Sequence, residues 1–216
     1  DPRLGLVILV NRYDGIDLPG DACHVLVLDG LPEALDGIER LVETQASGST
    51  AMLARQVQRL EQGMGRATRS NEDHAVVILL GARLSERLNA PGARDLFSPA
   101  ARAQLDLAYQ VAAELEVAKL EDLREVIDQC LGRDRDWIAY SKGVLAELSY
   151  SAPVIAPSAV LERRAFEAAS RGDFVEAAAE INKAVAATAE SGPQSVLKQQ
   201  LSAYTQPFDA LEAQQI

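Results

Sequence analysis

Two short runs early in the 216-residue chain carry residue types that could do chemistry. Gln62-Gly63-Met64-Gly65-Arg66-Ala67-Thr68-Arg69 sets two arginines three residues apart, with a glutamine shortly before them. A guanidinium is planar, permanently charged and matched to phosphoryl oxygens, so Arg66 and Arg69 facing one cleft would stabilise charge developing on a transferring phosphoryl group. Gln62 could hydrogen-bond such a phosphoryl ligand or its water. The competing reading is a solvated basic helix end, favoured by the helix macrodipole. Upstream, Asn11-Arg12-Tyr13-Asp14-Gly15-Ile16-Asp17-Leu18-Pro19-Gly20-Asp21-Ala22 leads into Val25-Leu26-Val27-Leu28-Asp29-Gly30-Leu31-Pro32. Gly15 lets the backbone approach a ligand closely. Asp17 offers an acceptor at the carboxyl end of a strand, where open α/β sheets bind ligands. Taken alone, Gly15-Ile16-Asp17 reads better as an ordinary turn between strands than as a ligand site.

These residues need elements to position them. Leu4–Val10, His24–Leu28 and His74–Leu80 are continuous apolar runs closed by polar or glycine residues, and predict three strands buried on both faces of a parallel sheet. Between the second and third, a polar stretch with Ser47-Gly48-Ser49 precedes a helix over about 50–63, with Met52, Leu53, Val57 and Leu60 as its buried stripe. This order is α/β grammar.

Beyond about Ser98 the pattern becomes helical. Leu105, Ala108, Val111, Ala112 and Leu115 recur at helical spacing, as do Leu123, Val126, Ile127 and Cys130, then Ile138, Val144, Leu145 and Leu148. Ala152-Pro153 and Ala156-Pro157 break the run, and three further helices are predicted at about 158–171, 174–190 and 193–204. Arg171-Gly172-Asp173-Phe174 through Val185 looks like the turn and second helix of a tetratricopeptide hairpin, but only one such unit is present, and a plain helical hairpin is the preferred reading. The expected domains are therefore 1–97 and 98–216.

Bulk properties set further bounds. Hydrophobic residues make up 48% and charged residues 25%, ordinary for a globular protein with a sizeable core. The apolar runs are too short for a bilayer, no secretory leader opens the chain, and Cys23 and Cys130 lack paired spacing, so a reducing cytoplasm is expected. The net charge of −11 opposes broad contact with phosphates. Arg55, Arg59, Arg66 and Arg69, set against Glu61 alone, make a basic strip suited to gripping one strand. His24 and His74 read as structural, and Trp137 as a core residue.

The first run resembles motif V of superfamily 2 helicases, closest to the repair-type DEAD/DEAH enzymes, and the second resembles their motif VI, Gln-x-x-Gly-Arg-x-x-Arg, in the expected order. The resemblance covers roughly residues 4–82 and implies a partial second RecA-like lobe. It implies that Asp17 faces the nucleotide ribose or an arginine of the motor, and that Gly15 and Gly65 line the nucleotide site. By the same resemblance, Asn11 and Arg12 would face the nucleic-acid backbone, and Gln62, Arg66 and Arg69 would act on ATP bound with Mg2+ between this lobe and a first RecA-like lobe.

No Gly-x-x-x-x-Gly-Lys-Ser/Thr loop is present, since none of Lys119, Lys142, Lys183 and Lys198 follows a glycine. The chain, which opens Asp-Pro-Arg, is expected to be part of a longer helicase and inactive by itself. Its expected partners are nucleic acid, DNA favoured over RNA, the first lobe, and another chain along an exposed sheet edge. The rival reading is a non-catalytic helical protein-interaction module on a degenerate helicase lobe.

Overall fold

A computed structural model of the chain describes residues 5–10, 12, 13, 16, 18, 20–34, 36–68, 73–115, 119–146, 148–150 and 155–216. By internal packing these residues fall into two compact units, one drawn from Asp1–Glu33 and Leu53–Tyr150, the other from Ala34–Met52 and Ser151–Ile216.

The first unit holds a parallel pair, β1 (Val25–Asp29) and β2 (Val76–Leu80), in register from Val25 opposite Val76 to Asp29 opposite Leu80. Between them in sequence come α1 (Gly37–Gln45) and α2 (Thr50–Met64); after them come α3 (Ala82–Leu88), α4 (Pro99–Glu114), α5 (Leu120–Leu131) and α6 (Arg135–Ala146). A small parallel sheet followed by helices is the expected α/β order, consistent with a partial RecA-like region and a helical C-terminal part.

The core lies against α2. Val57 and Leu60 are buried with Leu84 and Leu88 of α3, Phe97, and Ala101 and Leu105 of α4, while Leu53 packs on their margin. These positions recur at three- and four-residue spacing on each helix, which brings one apolar stripe against the next. Ser98 fixes the start of α4: its hydroxyl accepts from Ala101 N, and its own N–H donates to Glu61 of α2. Pro99 at the first helical position has no N–H left unsatisfied there.

Two strand expectations need correction. The described residues 5–10 form no strand, and Leu6, Ile8 and Val10 stand 87%, 78% and 82% exposed. The run has strand composition, but a strand exists only where a neighbour completes its ladder, and residues 5–10 pair with neither β1 nor β2. For the same reason β1 is not buried on both faces: Val25 and Val27 are 44% and 46% exposed, and its burial alternates as in a half-covered sheet.

The second unit contains α1 and a helical array, α7 (Pro157–Ser170), α8 (Phe174–Ala187), α9 (Ser191–Thr205) and α10 (Ala210–Gln215). The α7–α8 turn works through Gly172 at φ +82°, a left-handed conformation that a side chain would resist. Asp173 then caps α8 by accepting from Glu176 N. Ala165, Ile181, Ala184 and Leu197 form the buried centre, and the alanines let the helix axes come close. This is the helical hairpin expected from the sequence, with α9 packed on α8.

Helices α1, α3 and α10 extend the expected set. Asp36 caps α1 by accepting from Glu39 N at 2.7 Å, and Asp209 caps α10 by accepting from Leu211 and Glu212 N. The signal for α1 was present as Asp36-x-x-Glu39 ahead of Leu41 and Val42.

Two predictions arise within this unit. A Cβ on Gly192 would lie 2.6 Å from the Gln45 carbonyl oxygen and 3.0 Å from the Ala46 Cα, so main chain must shift. Gly192→Ala should therefore cost about 1–3 kcal/mol, read as a lower urea midpoint with unchanged slope. Half-buried Glu162 has its carboxyl pushed above the ordinary glutamate value by desolvation. A raised folded-state value means that stability is full at low pH and declines as pH rises through that value. Glu162→Gln should accordingly raise the thermal midpoint at pH 7 and leave it nearly unchanged at pH 3. A gain of equal size at both would show that ionisation is not the cause.

Candidate active site

The two chemistry-bearing runs meet where the strands end. Gly30 (φ +83°) follows β1 and Gly81 (φ +105°) follows β2, and Gly30 N donates to the Leu80 carbonyl at 2.9 Å. A Cβ on Gly81 would sit 3.3 Å from the main chain of Gly30. The carboxyl edge of the sheet thus ends in two bare glycines side by side.

Helix α2 delivers the second run. Its last turn carries exposed Gln62 and buried Gly63, and Gly65 N donates to the Glu61 carbonyl as the helix ends. Half-buried Arg66 follows, and its guanidinium reaches the first run: Nε donates to the Tyr13 carbonyl at 2.8 Å and one terminal nitrogen to the Ile16 carbonyl at 3.1 Å. In return, Leu18 N donates to the Arg66 carbonyl at 3.2 Å. Among the described residues, three hydrogen bonds therefore join segments some fifty residues apart, and two of them carry the guanidinium charge, which makes them stronger than neutral ones.

Tyr13 is the residue that sequence reasoning passed over. Its ring lies over Gly63, where an added Cβ would be 2.7 Å from the tyrosine Cδ1, and its hydroxyl donates to the Gly30 carbonyl at 3.4 Å. Burial pushes the phenol above its ordinary value, Arg59 pulls it down and Asp29 raises it further. Gly63 lies in the last turn of α2, where a glycine reads simply as a helix end, so nothing in the sequence pointed to its pairing with the Tyr13 ring.

Of the residues singled out from the sequence, Arg66, Gln62 and Gly65 lie together at the end of α2, and Arg12 is exposed beside Tyr13 in the chain. Asn11, Gly15, Asp17 and Arg69 lie outside the described residues. Arg55 and Arg59 of the basic strip are half-buried on α2.

The amino ends of the strands hold the two histidines. Their rings stack with centroids 4.7 Å apart, His24 Nδ1 lies 3.1 Å from the His74 carbonyl, and Val76 N donates to the His24 carbonyl. Asp21 sits 3.4 Å from His24 Nε2, and an Arg133 nitrogen sits 3.2 Å from His74 Nδ1. A guanidinium can only donate, so that His74 nitrogen accepts. The pair braces the start of the β1–β2 ladder, a structural role as expected. Cys130 is half-buried, its thiol pushed up by desolvation and partly pulled back by a hydrogen bond involving Trp137. Among the described residues no group of three or more histidine, cysteine or acidic side chains could hold a metal ion, and no helix is long and apolar enough to cross a membrane.

No curated protein and no solved structure matches the chain. Residues 5–92, rather less than half of it but including both runs and the two strands, match the family model of the helicase C-terminal domain, so this part of the chain is similar to a helicase-type lobe.

Proposed function

We propose that residues 1–97 act as the second RecA-like lobe of an ATP-dependent superfamily 2 helicase or translocase, and that residues 98–216 are its helical accessory region. The observation that carries this reading is the Arg66 guanidinium seated on the Tyr13 and Ile16 carbonyls. A motor needs its phosphate-sensing group tied to its strand-contacting loop, and that tie is one side chain long.

In the intact protein, ATP would bind between this lobe and a first one. Gln62, Arg66 and Arg69 would approach the phosphates from this side, with Gly15, Asp17 and Gly65 alongside. A guanidinium and a carboxamide fit a phosphate chain. Ligands for Mg2+ would come from the phosphates and the first lobe, and the ion when bound would supply positive charge to the phosphate chain. Arg66 would hold charge against the transferring group, and movement of the Tyr13–Leu18 segment with it would shift Asn11 and Arg12 along the strand. DNA is favoured over RNA, and the setting is a reducing cytoplasm. The exposed 5–10 run and the open edges of a two-stranded sheet offer pairing to another chain. Sedimentation velocity at rising concentration tests that part.

The deciding experiment is ATP hydrolysis by the full-length protein with and without single-stranded DNA, alongside the 216-residue chain alone. Stimulated turnover by the former and none by the latter is expected. No hydrolysis by the full-length protein under any nucleic acid would leave the non-catalytic interaction module as the better reading.

A further inference from the structure

We propose that Tyr13 is the positioning residue that aims Arg66, an inference that rests on the motor reading above. The Arg66 side chain is oriented by main-chain carbonyls, and carbonyls go where their own residue is held. Tyr13 is held at both ends. Its ring occupies the space that Gly63 leaves by having no side chain, and its hydroxyl reaches the Gly30 carbonyl at the carboxyl edge of β1.

The result is a closed circuit. It runs from Gly63 of α2 to the Tyr13 ring, from the Tyr13 carbonyl to Arg66 Nε, and back along three residues of main chain to Gly63. Each link is short-range, so a displaced ring displaces the carbonyl, and the guanidinium loses the shorter of its two hydrogen bonds to described loop residues. The 2.8 Å Nε contact is the shorter one, and it comes from Tyr13 itself. Ring and hydroxyl contribute separately. The ring meets α2 while the hydroxyl meets the strand end, so phenylalanine keeps the first and loses only a long hydrogen bond of 3.4 Å.

Two measurements test this. In the 216-residue chain, solvent exchange of the Arg66 Nε–H, assigned by its absence in Arg66→Lys, should be slow. It should speed up about tenfold or more in Tyr13→Ala and in Gly63→Ala, yet change by no more than about threefold in Tyr13→Phe. Gly63→Ala attacks the circuit from the helix side, so the claim stays decidable if Tyr13→Ala folds poorly. In the full-length protein, Tyr13→Ala and Gly63→Ala should lower kcat for ATP by about 10–100-fold with KM within about threefold, and Tyr13→Phe should restore most of it. A residue that merely stabilised the fold would lower the melting point and leave kcat of the folded enzyme alone. Unchanged Nε–H exchange in both variants overturns the positioning role. Normal kcat in both while Arg66→Ala abolishes turnover overturns it and leaves the motor reading standing. Normal turnover in both Arg66→Ala and Arg69→Ala removes the positioning role and the motor reading together.

Discussion

Replacing Arg66 by alanine in the full-length protein should lower kcat for ATP hydrolysis by about 10³–10⁵-fold while nucleotide still binds. The size follows from what a guanidinium does. Charge spreads over the γ-phosphoryl oxygens only as the bond breaks, so a cation placed there acts on the transition state more than on the ground state. Binding, held mostly by the first lobe under the proposal, should change little. Arg66→Lys should rescue poorly, because an ammonium cannot span the Tyr13 and Ile16 carbonyls as the fork does. Arg69→Ala is expected to match Arg66→Ala. Single-turnover hydrolysis with fluorescent-nucleotide binding separates the two effects, and near-normal turnover in both alanine variants would remove the motor assignment.

Leu60→Ala should destabilise the first unit by about 2–5 kcal/mol, the range for emptying a well-packed leucine site. Leu60 is 1% exposed and touches the apolar cluster of Val57, Leu84, Leu88 and Phe97. The cluster draws on α2, α3 and α4 together with Phe97, so local collapse into the vacated space would have to move several elements together. Trp137, the chain's one tryptophan, lies in the same unit and reports its unfolding by fluorescence. The midpoint in urea should fall with little change in slope. A loss below about 1 kcal/mol would mean that the α2–α3–α4 packing yields more readily than the burial implies. Because α2 also carries Gln62, Gly63 and the approach to Arg66, partial unfolding at working temperature should appear as reduced turnover that cooling recovers.

How legible was all this in the amino acids? Local periodicity placed α2 and α5 to α9 closely, because a helix satisfies its own main chain and needs only one apolar face. It also placed β1 and β2, whose ends are marked by Asp29-Gly30 and Gly81. Residues 5–10 show the limit: their composition is that of a strand, and composition cannot supply the neighbour that a ladder requires. Helix α1 was missed for the opposite reason, since a short amphipathic segment with mostly polar residues reads as loop until its Asp36 cap is noticed.

By itself, the sequence determined which chemistry was on offer and in what order: a glycine-bearing acidic run, then a glutamine and two arginines, with strands and a helix between. Those are properties of residue type and short spacing, which local sterics and side-chain chemistry control. Only the tertiary structure decided that Arg66 rests on Tyr13 and Ile16, and that Gly63 is small because a ring must fit against it. Those partners are some fifty positions apart along the chain, and such contacts follow from how the helix packs against the strand ends rather than from any pattern within either run.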